Sequence, residues 1–150
     1  MSRTVHVWEM VEIELRRSTQ LENPYTQLDV WVDLSGPDFA RRVYGFWDGD
    51  DRHVIRVVAN APGEWCWRSG ANIGGLGLDG LSGSFVAESW SEQELAENPC
   101  RRGFLRATPN GRGFRFADGT PHYYLADTWW ATPTFRYPWV DDKQQLPAGA

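Results

Sequence analysis

Apolar and polar residues alternate along most of this chain, and the alternation predicts strands. From Trp8 to Arg16, Val11, Ile13 and Leu15 fall on one side, with Glu12, Glu14 and Arg16 on the other. That is the pattern of a half-buried strand. After a turn at Asn23-Pro24-Tyr25, Leu28, Val30, Val32 and Leu34 alternate with Asp29, Trp31 and Asp33, and Ser35-Gly36-Pro37-Asp38 stops this second strand. A third runs from about Phe39 to Trp47 into Asp48-Gly49-Asp50-Asp51, a hairpin turn by composition. The fourth, His53 to Ala59, follows at once. Ala61-Pro62-Gly63-Glu64 places Pro and Gly as a type II turn requires. A fifth strand then carries Trp65 and Trp67 on one face and Cys66 on the other. Residues 69–83 hold six glycines and read as a long loop or edge, with Phe85 to Glu88 as a short last strand.

Short strands separated by turn signals every 8–12 residues or so predict an all-β fold, an immunoglobulin-like antiparallel β-sandwich over residues 3–90. The pattern changes at Trp90. Ser91-Glu92-Gln93-Glu94 has the form of a capping box opening a short helix, ended by Asn98-Pro99, and residues 91–102 read as a linker. Pro109-Asn110-Gly111-Arg112 then predicts a hairpin between Gly103–Ala107 and Gly113–Ala117. Another turn, Ala117 to Pro121, leads into His122-Tyr123-Tyr124-Leu125-Ala126, a compact apolar run more like a buried parallel strand than an alternating one. Such a strand needs crossovers and further parallel strands, which the remaining residues do not supply.

Composition narrows the function. The chain has 150 residues with 15 basic and 20 acidic side chains, a net charge of −5, and no basic stripe, which argues against a nucleic-acid partner. No apolar run reaches the roughly 18–20 residues of a membrane span, and the first residues lack a signal-peptide core. A cytoplasmic chain with no membrane partner is therefore expected. Cys66 and Cys100 make neither a zinc set nor a disulfide framework. His6, His53 and His122 share no metal spacing and read as packing residues. Asp48, Asp50 and Asp51 lack the calcium-loop pattern and read as a solvated turn. Gly74-Gly75-Leu76-Gly77 lacks the Lys-Ser/Thr of a phosphate loop. No cofactor is expected.

The unusual feature of the composition is aromatic: nine Trp, seven Phe and five Tyr. Such side chains stack on sugar C–H faces and equally fill the thin core of a sandwich. Trp31, Tyr44 and Phe46 lie opposite the expected core faces. They are candidates for a sugar platform, with packing against another domain or sheet as the favoured expectation.

In order along the chain stand Val7-Trp8-Glu9, Asn23-Pro24-Tyr25, Val43-Tyr44-Gly45-Phe46-Trp47-Asp48-Gly49 and Ala61-Pro62-Gly63-Glu64-Trp65. This series resembles the N-terminal sandwich, a domain of unknown function, that precedes apiosidase-like glycoside hydrolase barrels. Asn98-Pro99, Arg101-Arg102-Gly103-Phe104 and Asp118-Gly119-Thr120-Pro121 resemble the segment that follows it. Tyr124-Leu125-Ala126-Asp127-Thr128-Trp129-Trp130 resembles the first barrel strand. The resemblance spans roughly residues 5–140 and implies a sandwich, then residues 103–150 as a hairpin and the truncated start of a (β/α)8 barrel.

A barrel of that kind takes about 250 residues. Its two catalytic carboxylates are expected on later strands, so no catalytic residue is assigned to this chain. The resemblance implies a non-catalytic N-terminal accessory module of a polysaccharide-hydrolysing enzyme, with the barrel and a polysaccharide as partners. In the complete enzyme Asp127 would hydrogen-bond sugar hydroxyls beside Thr128, and Trp129 or Trp130 would supply a stacking wall. The alternative is a free-standing carbohydrate-binding sandwich. An unpaired hydrophobic surface near residues 122–140 would favour the first, and a coplanar row of exposed aromatics the second.

Overall fold

The computed structural model describes residues 3–126 and residue 128. Two sheets face each other. One has five strands in the order β1 (Arg3–His6), β8 (Ser82–Glu88), β7 (Gly63–Ala71), β3 (Val30–Gly36) and β4 (Phe39–Tyr44). The other has three, in the order β2 (Met10–Arg16), β6 (Arg52–Val58) and β5 (Phe46–Trp47). The sheets do not close into a barrel, and the chain is an all-β sandwich, as the alternation predicts.

Strand burial follows the sequence pattern residue by residue. Val11, Ile13 and Leu15 of β2 and Val30, Val32 and Leu34 of β3 are buried, with their polar neighbours outside. Each side chain of this kind contributes about 1.5–3 kcal/mol when fully withdrawn from water. The centre of the core is Trp65, which is 0% exposed. Its ring lies parallel to Phe85 at 6.2 Å and against Phe39 at 5.2 Å, and its Nε1 donates to the Ala61 carbonyl at 3.0 Å. Room for the indole exists because residue 36 has no side chain: a Cβ on Gly36 would sit 2.4 Å from the ring.

Three details depart from the strand reading. First, the sheet is not wholly antiparallel, because β1 runs parallel to β8. The two strands come from opposite ends of the sandwich sequence, so the rest of the sandwich serves as the long crossover that a parallel pair needs. Second, the single strand expected from Phe39 to Trp47 is two strands in different sheets. The chain changes sheets at Gly45, where a Cβ would meet the Val54 carbonyl oxygen and an Ile55 side-chain carbon, each at 2.7 Å. Third, Pro24–Gln27 forms one helical turn, α1.

The glycine-rich stretch is anchored. Strand β7 continues to Ala71, and beyond it Leu76 and Leu78 are buried in the sandwich core. The Ser69 hydroxyl donates to the Leu78 carbonyl at 2.5 Å and accepts from the Leu81 amide, pinning the loop at both strands' ends.

Residues after Trp90 remain tied to the sandwich. Ser91 and Glu94 form the expected capping box at the start of α2 (Glu92–Glu97), and Pro99–Arg102 makes a single 3-10 turn. The Trp90 indole donates to the Val7 carbonyl at 2.8 Å, stacks on His6 at 3.9 Å, and carries the Arg101 guanidinium on its ring at 4.4 Å. A small antiparallel sheet follows, in the order β11 (Pro121–His122), β10 (Phe114–Arg115) and β9 (Arg106–Ala107). Arg102 reaches it through Asp118 at 2.8 Å.

The expected buried parallel strand at residues 122–126 is not formed within the described residues. Pro121 and His122 pair antiparallel with β10, and Tyr123 and Leu125 are 85% and 83% exposed. Among the described residues no parallel strand lies beside them.

Truncating Trp65 to Ala should remove about 3–5 kcal/mol of stability, the range for large buried aromatics. Gly36→Ala should cost about 1–3 kcal/mol by overpacking the same ring. Urea unfolding followed by circular dichroism checks both. A loss below about 1 kcal/mol for Trp65→Ala would show that the indole is not the centre of the core.

Candidate functional site

The outer face of the three-stranded sheet is a charge ladder. Arg52 on β6 binds Glu14 on β2 at 2.9 Å and also Asp48, while Arg16 binds Glu14 at 2.6 Å and Asp51 at 2.9 Å. Arg56 pairs with Glu12 at 2.9 Å. The arginines therefore hold the carboxylates at 48 and 51. Among the described residues no group of His, Cys, Asp and Glu is placed to hold a metal ion.

Hydrogen bonds from Arg52 and then Arg16 hold the Glu14 carboxyl below its ordinary range. Arg42 does the same to Asp33, and Ser91 to Glu94. Asp118 is partly desolvated, which raises it, but bonds from Thr120 and Arg102 outweigh this and lower it. A glycosidic general acid needs the opposite shift, upward toward neutrality.

Trp31, Tyr44 and Phe46 do not form a flat platform. Trp31 meets Tyr44 edge-on at 62°, and Arg42 and Arg56 lie over the Trp31 and Phe46 rings at 4.4 and 4.9 Å. A sugar would have to displace both guanidinium groups.

Of the four residues singled out near the chain's end, Thr128 is exposed. Asp127, Trp129 and Trp130 lie outside the described residues. Immediately before them the small sheet and the residues that follow it expose apolar side chains to solvent. Phe114, Tyr123, Tyr124 and Leu125 are all exposed, with the Phe114 and Tyr124 rings 5.6 Å apart. His122 lies beneath, between Phe116 and Tyr124.

One concavity was not visible in the alternation. A groove of about 690 Å³ opens between β4 of one sheet and β6 of the other, and its wall includes Trp8, Phe39, Arg41, Asn60, Phe104 and Arg106. It exists because β5 is two residues long and covers β6 only at His53 and Val54. A strand long enough to run opposite β4 would have filled it. The signal in the sequence was Gly45, at which the apparent strand divides.

A buried polar pair sits at the other end of the sandwich. Arg17 donates to the carbonyls of Thr19, at 2.8 Å, and Asp50. Neither its Nε nor the Nε2 of buried His53 has a hydrogen-bond partner among the described residues. Burial, reinforced by the Arg17 charge, pushes the His53 imidazole below its ordinary value of 6.5, while Asp51 pulls the other way.

Residues 4–72 match the family described as a domain of unknown function, DUF5060. No curated protein matches. Among solved structures, the chain is similar to the crystal structure of "a putative glycoside hydrolase from Bacteroides vulgatus", with a TM-score of 0.66 and 22% sequence identity. That likeness is one of fold. It covers 81% of this chain, more than residues 3–90 supply, and so reaches into the segment beyond the sandwich. The chain spans 22% of the length of that structure. No helix among the described residues is long and apolar enough to cross a membrane.

The lowered His53 pKa makes stability depend on pH. The unfolded imidazole takes up a proton as pH falls below 6.5 and the folded one resists it, so stability is full above 6.5 and declines as pH drops toward the folded value. Urea midpoints measured at about pH 7.5 and about pH 5.5 should therefore fall with pH, and His53→Gln should flatten the difference. An equal fall in the variant would assign the dependence to other groups. The lowered carboxylates titrate below this window.

Proposed function

We propose that this chain is the N-terminal, non-catalytic module of a glycoside hydrolase. Residues 3–90 form the sandwich, residues 91–102 connect, and residues 103–150 lead into a catalytic (β/α)8 barrel of the apiosidase-like kind. The observation that carries this reading is the exposed cluster of apolar side chains around Phe114 and Tyr124, with Tyr123 and Leu125 beside them in the chain. Contiguous apolar surface of this sort usually awaits a partner, and it lies where the sequence resembles the entry to such a barrel. The occupant is the polypeptide that follows in the same enzyme, with a polysaccharide as the substrate of the whole.

Supporting this are the match to DUF5060 over residues 4–72 and the fold shared with a much longer putative glycoside hydrolase. The carboxylates Glu14, Asp33, Glu94 and Asp118 are all shifted downward, the wrong direction for a general acid. In the complete enzyme Asp127 and Thr128 would contact sugar hydroxyls at the barrel mouth, beside Trp129 and Trp130. The competing reading, a free-standing sugar-binding platform at Trp31, Tyr44 and Phe46, has no coplanar aromatic row to support it.

Deleting residues 122–150 should raise solubility and leave the cooperative urea unfolding of the sandwich unchanged. Loss of cooperative unfolding would make those residues part of this chain's own core and end the docking reading. The intact mass of the protein from its natural source should exceed 17.1 kDa by a barrel's worth of chain, about 250 residues. A native species of 17.1 kDa would overturn the accessory-module reading.

A further inference from the structure

The groove between β4 and β6 carries positive charge on a chain whose net charge is −5. Four arginines line it: Arg41, Arg42, Arg56 and Arg106. Two are already engaged, Arg42 with Asp33 at 2.8 and 3.0 Å and Arg56 with Glu12 at 2.9 Å. Arg41 and Arg106 are exposed and have no carboxylate within ion-pair distance among the described residues.

Arg41 is placed there by register. It stands opposite Leu34, whose side chain points into the core, so Arg41 projects from the same inner face of the sheet into the gap. Arg106 comes from β9, beyond the sandwich, and lines the same groove.

The rest of the lining combines aromatic, aliphatic and polar side chains. Trp8 and Phe104 meet edge-on with centroids 5.3 Å apart, and Asn60 lines the wall beside them. Trp8 holds φ at 65°, a left-handed backbone that a bulky residue seldom adopts and that is enriched at binding sites. The groove's volume of about 690 Å³ lies within the range of small-molecule sites. Asp38 at the rim disfavours a bare phosphate cluster but accepts hydrogen bonds from hydroxyls.

We propose that this groove binds an acidic oligosaccharide, with Arg41 and Arg106 receiving its uronate carboxylates and Trp8 and Phe104 lying against sugar C–H faces. Guanidinium groups match carboxylates in bidentate geometry, and apolar rings with an amide between them suit a ligand that alternates C–H faces with hydroxyls. Neither neutral glycans nor bare polyanions offer both. The proposal concerns the sandwich and the start of the small sheet, and it stands whether or not a barrel follows.

Native gel electrophoresis of the 150-residue chain tests it, with polygalacturonate, neutral arabinan or polyglutamate cast in the gel. Polygalacturonate should retard the chain, and the other two should not. Arg41→Gln with Arg106→Gln should weaken retention by about tenfold or more, whereas Arg112→Gln, at the hairpin tip, should leave it unchanged. Thermal melting confirms that each variant is folded, and the single variants Arg41→Gln and Arg106→Gln carry the test if the double variant is not.

Three results would overturn the proposal. They are no retardation by polygalacturonate, equal retardation by polyglutamate, or undiminished retention of the arginine variants. Self-association of Arg41→Gln with retention unchanged would also overturn it, and would make Arg41 an inward charge that protects an open sheet edge.

Discussion

One indole governs the packing of this sandwich. Trp65 fills the space between sheets that Gly36 leaves open, and Phe39 and Phe85 close on its faces from β4 and β8. Its nitrogen, which would be costly to bury unpaired, is satisfied by Ala61 at the turn preceding its own strand. The contacts of this ring therefore join the edge strand β4, the central strand β7 and the strand β8 that pairs with the chain's beginning. Any change in its volume is felt in all three, because a close-packed interior has little slack.

The unequal sheets follow from the same packing. Five strands face three, so the inner surface of the larger sheet is incompletely covered at β4. Gly45 carries the chain across to the smaller sheet with only Phe46 and Trp47 left before the turn at Asp48, too late for β5 to extend along β6. The remaining opening is lined by arginines, Asp38 and Asn60 together with aliphatic and aromatic side chains, and the charged groups keep water compatible with the edge. It is a place where a ligand with both C–H faces and carboxylates has complementary partners.

Charge elsewhere is locally spent. The outer face of the small sheet balances Glu12, Glu14, Asp48 and Asp51 against Arg16, Arg52 and Arg56. Exposed pairs of this sort add little stability each, but they leave no free carboxylate cluster there. The structure thus separates three surfaces: a self-neutralised face, an arginine-lined groove with unpaired charge, and the exposed apolar side chains of Phe114 and Tyr123–Leu125 at the small sheet and just beyond it. The last two have the chemistry of surfaces that meet something else.

The sequence by itself determined the strands whose two faces differ in polarity. Val11, Ile13 and Leu15 against Glu12, Glu14 and Arg16 can be buried in only one register, since a slip of one residue would put three carboxylates or guanidiniums in the core. The capping box at Ser91 and Glu94 and the turns at 109–112 and 117–121 were legible for a similar reason: their bonds close within a few residues. Tertiary structure decided whatever depends on distant partners. Nothing local shows that Phe39 and Phe46 belong to different sheets, that Arg3–His6 runs parallel to Phe85–Glu88, or that Leu76 and Leu78 leave a glycine-rich loop for the core. The groove is of that kind, because Trp8, Arg41 and Arg106 are far apart in the chain and meet only where one sheet runs out of strands before the other.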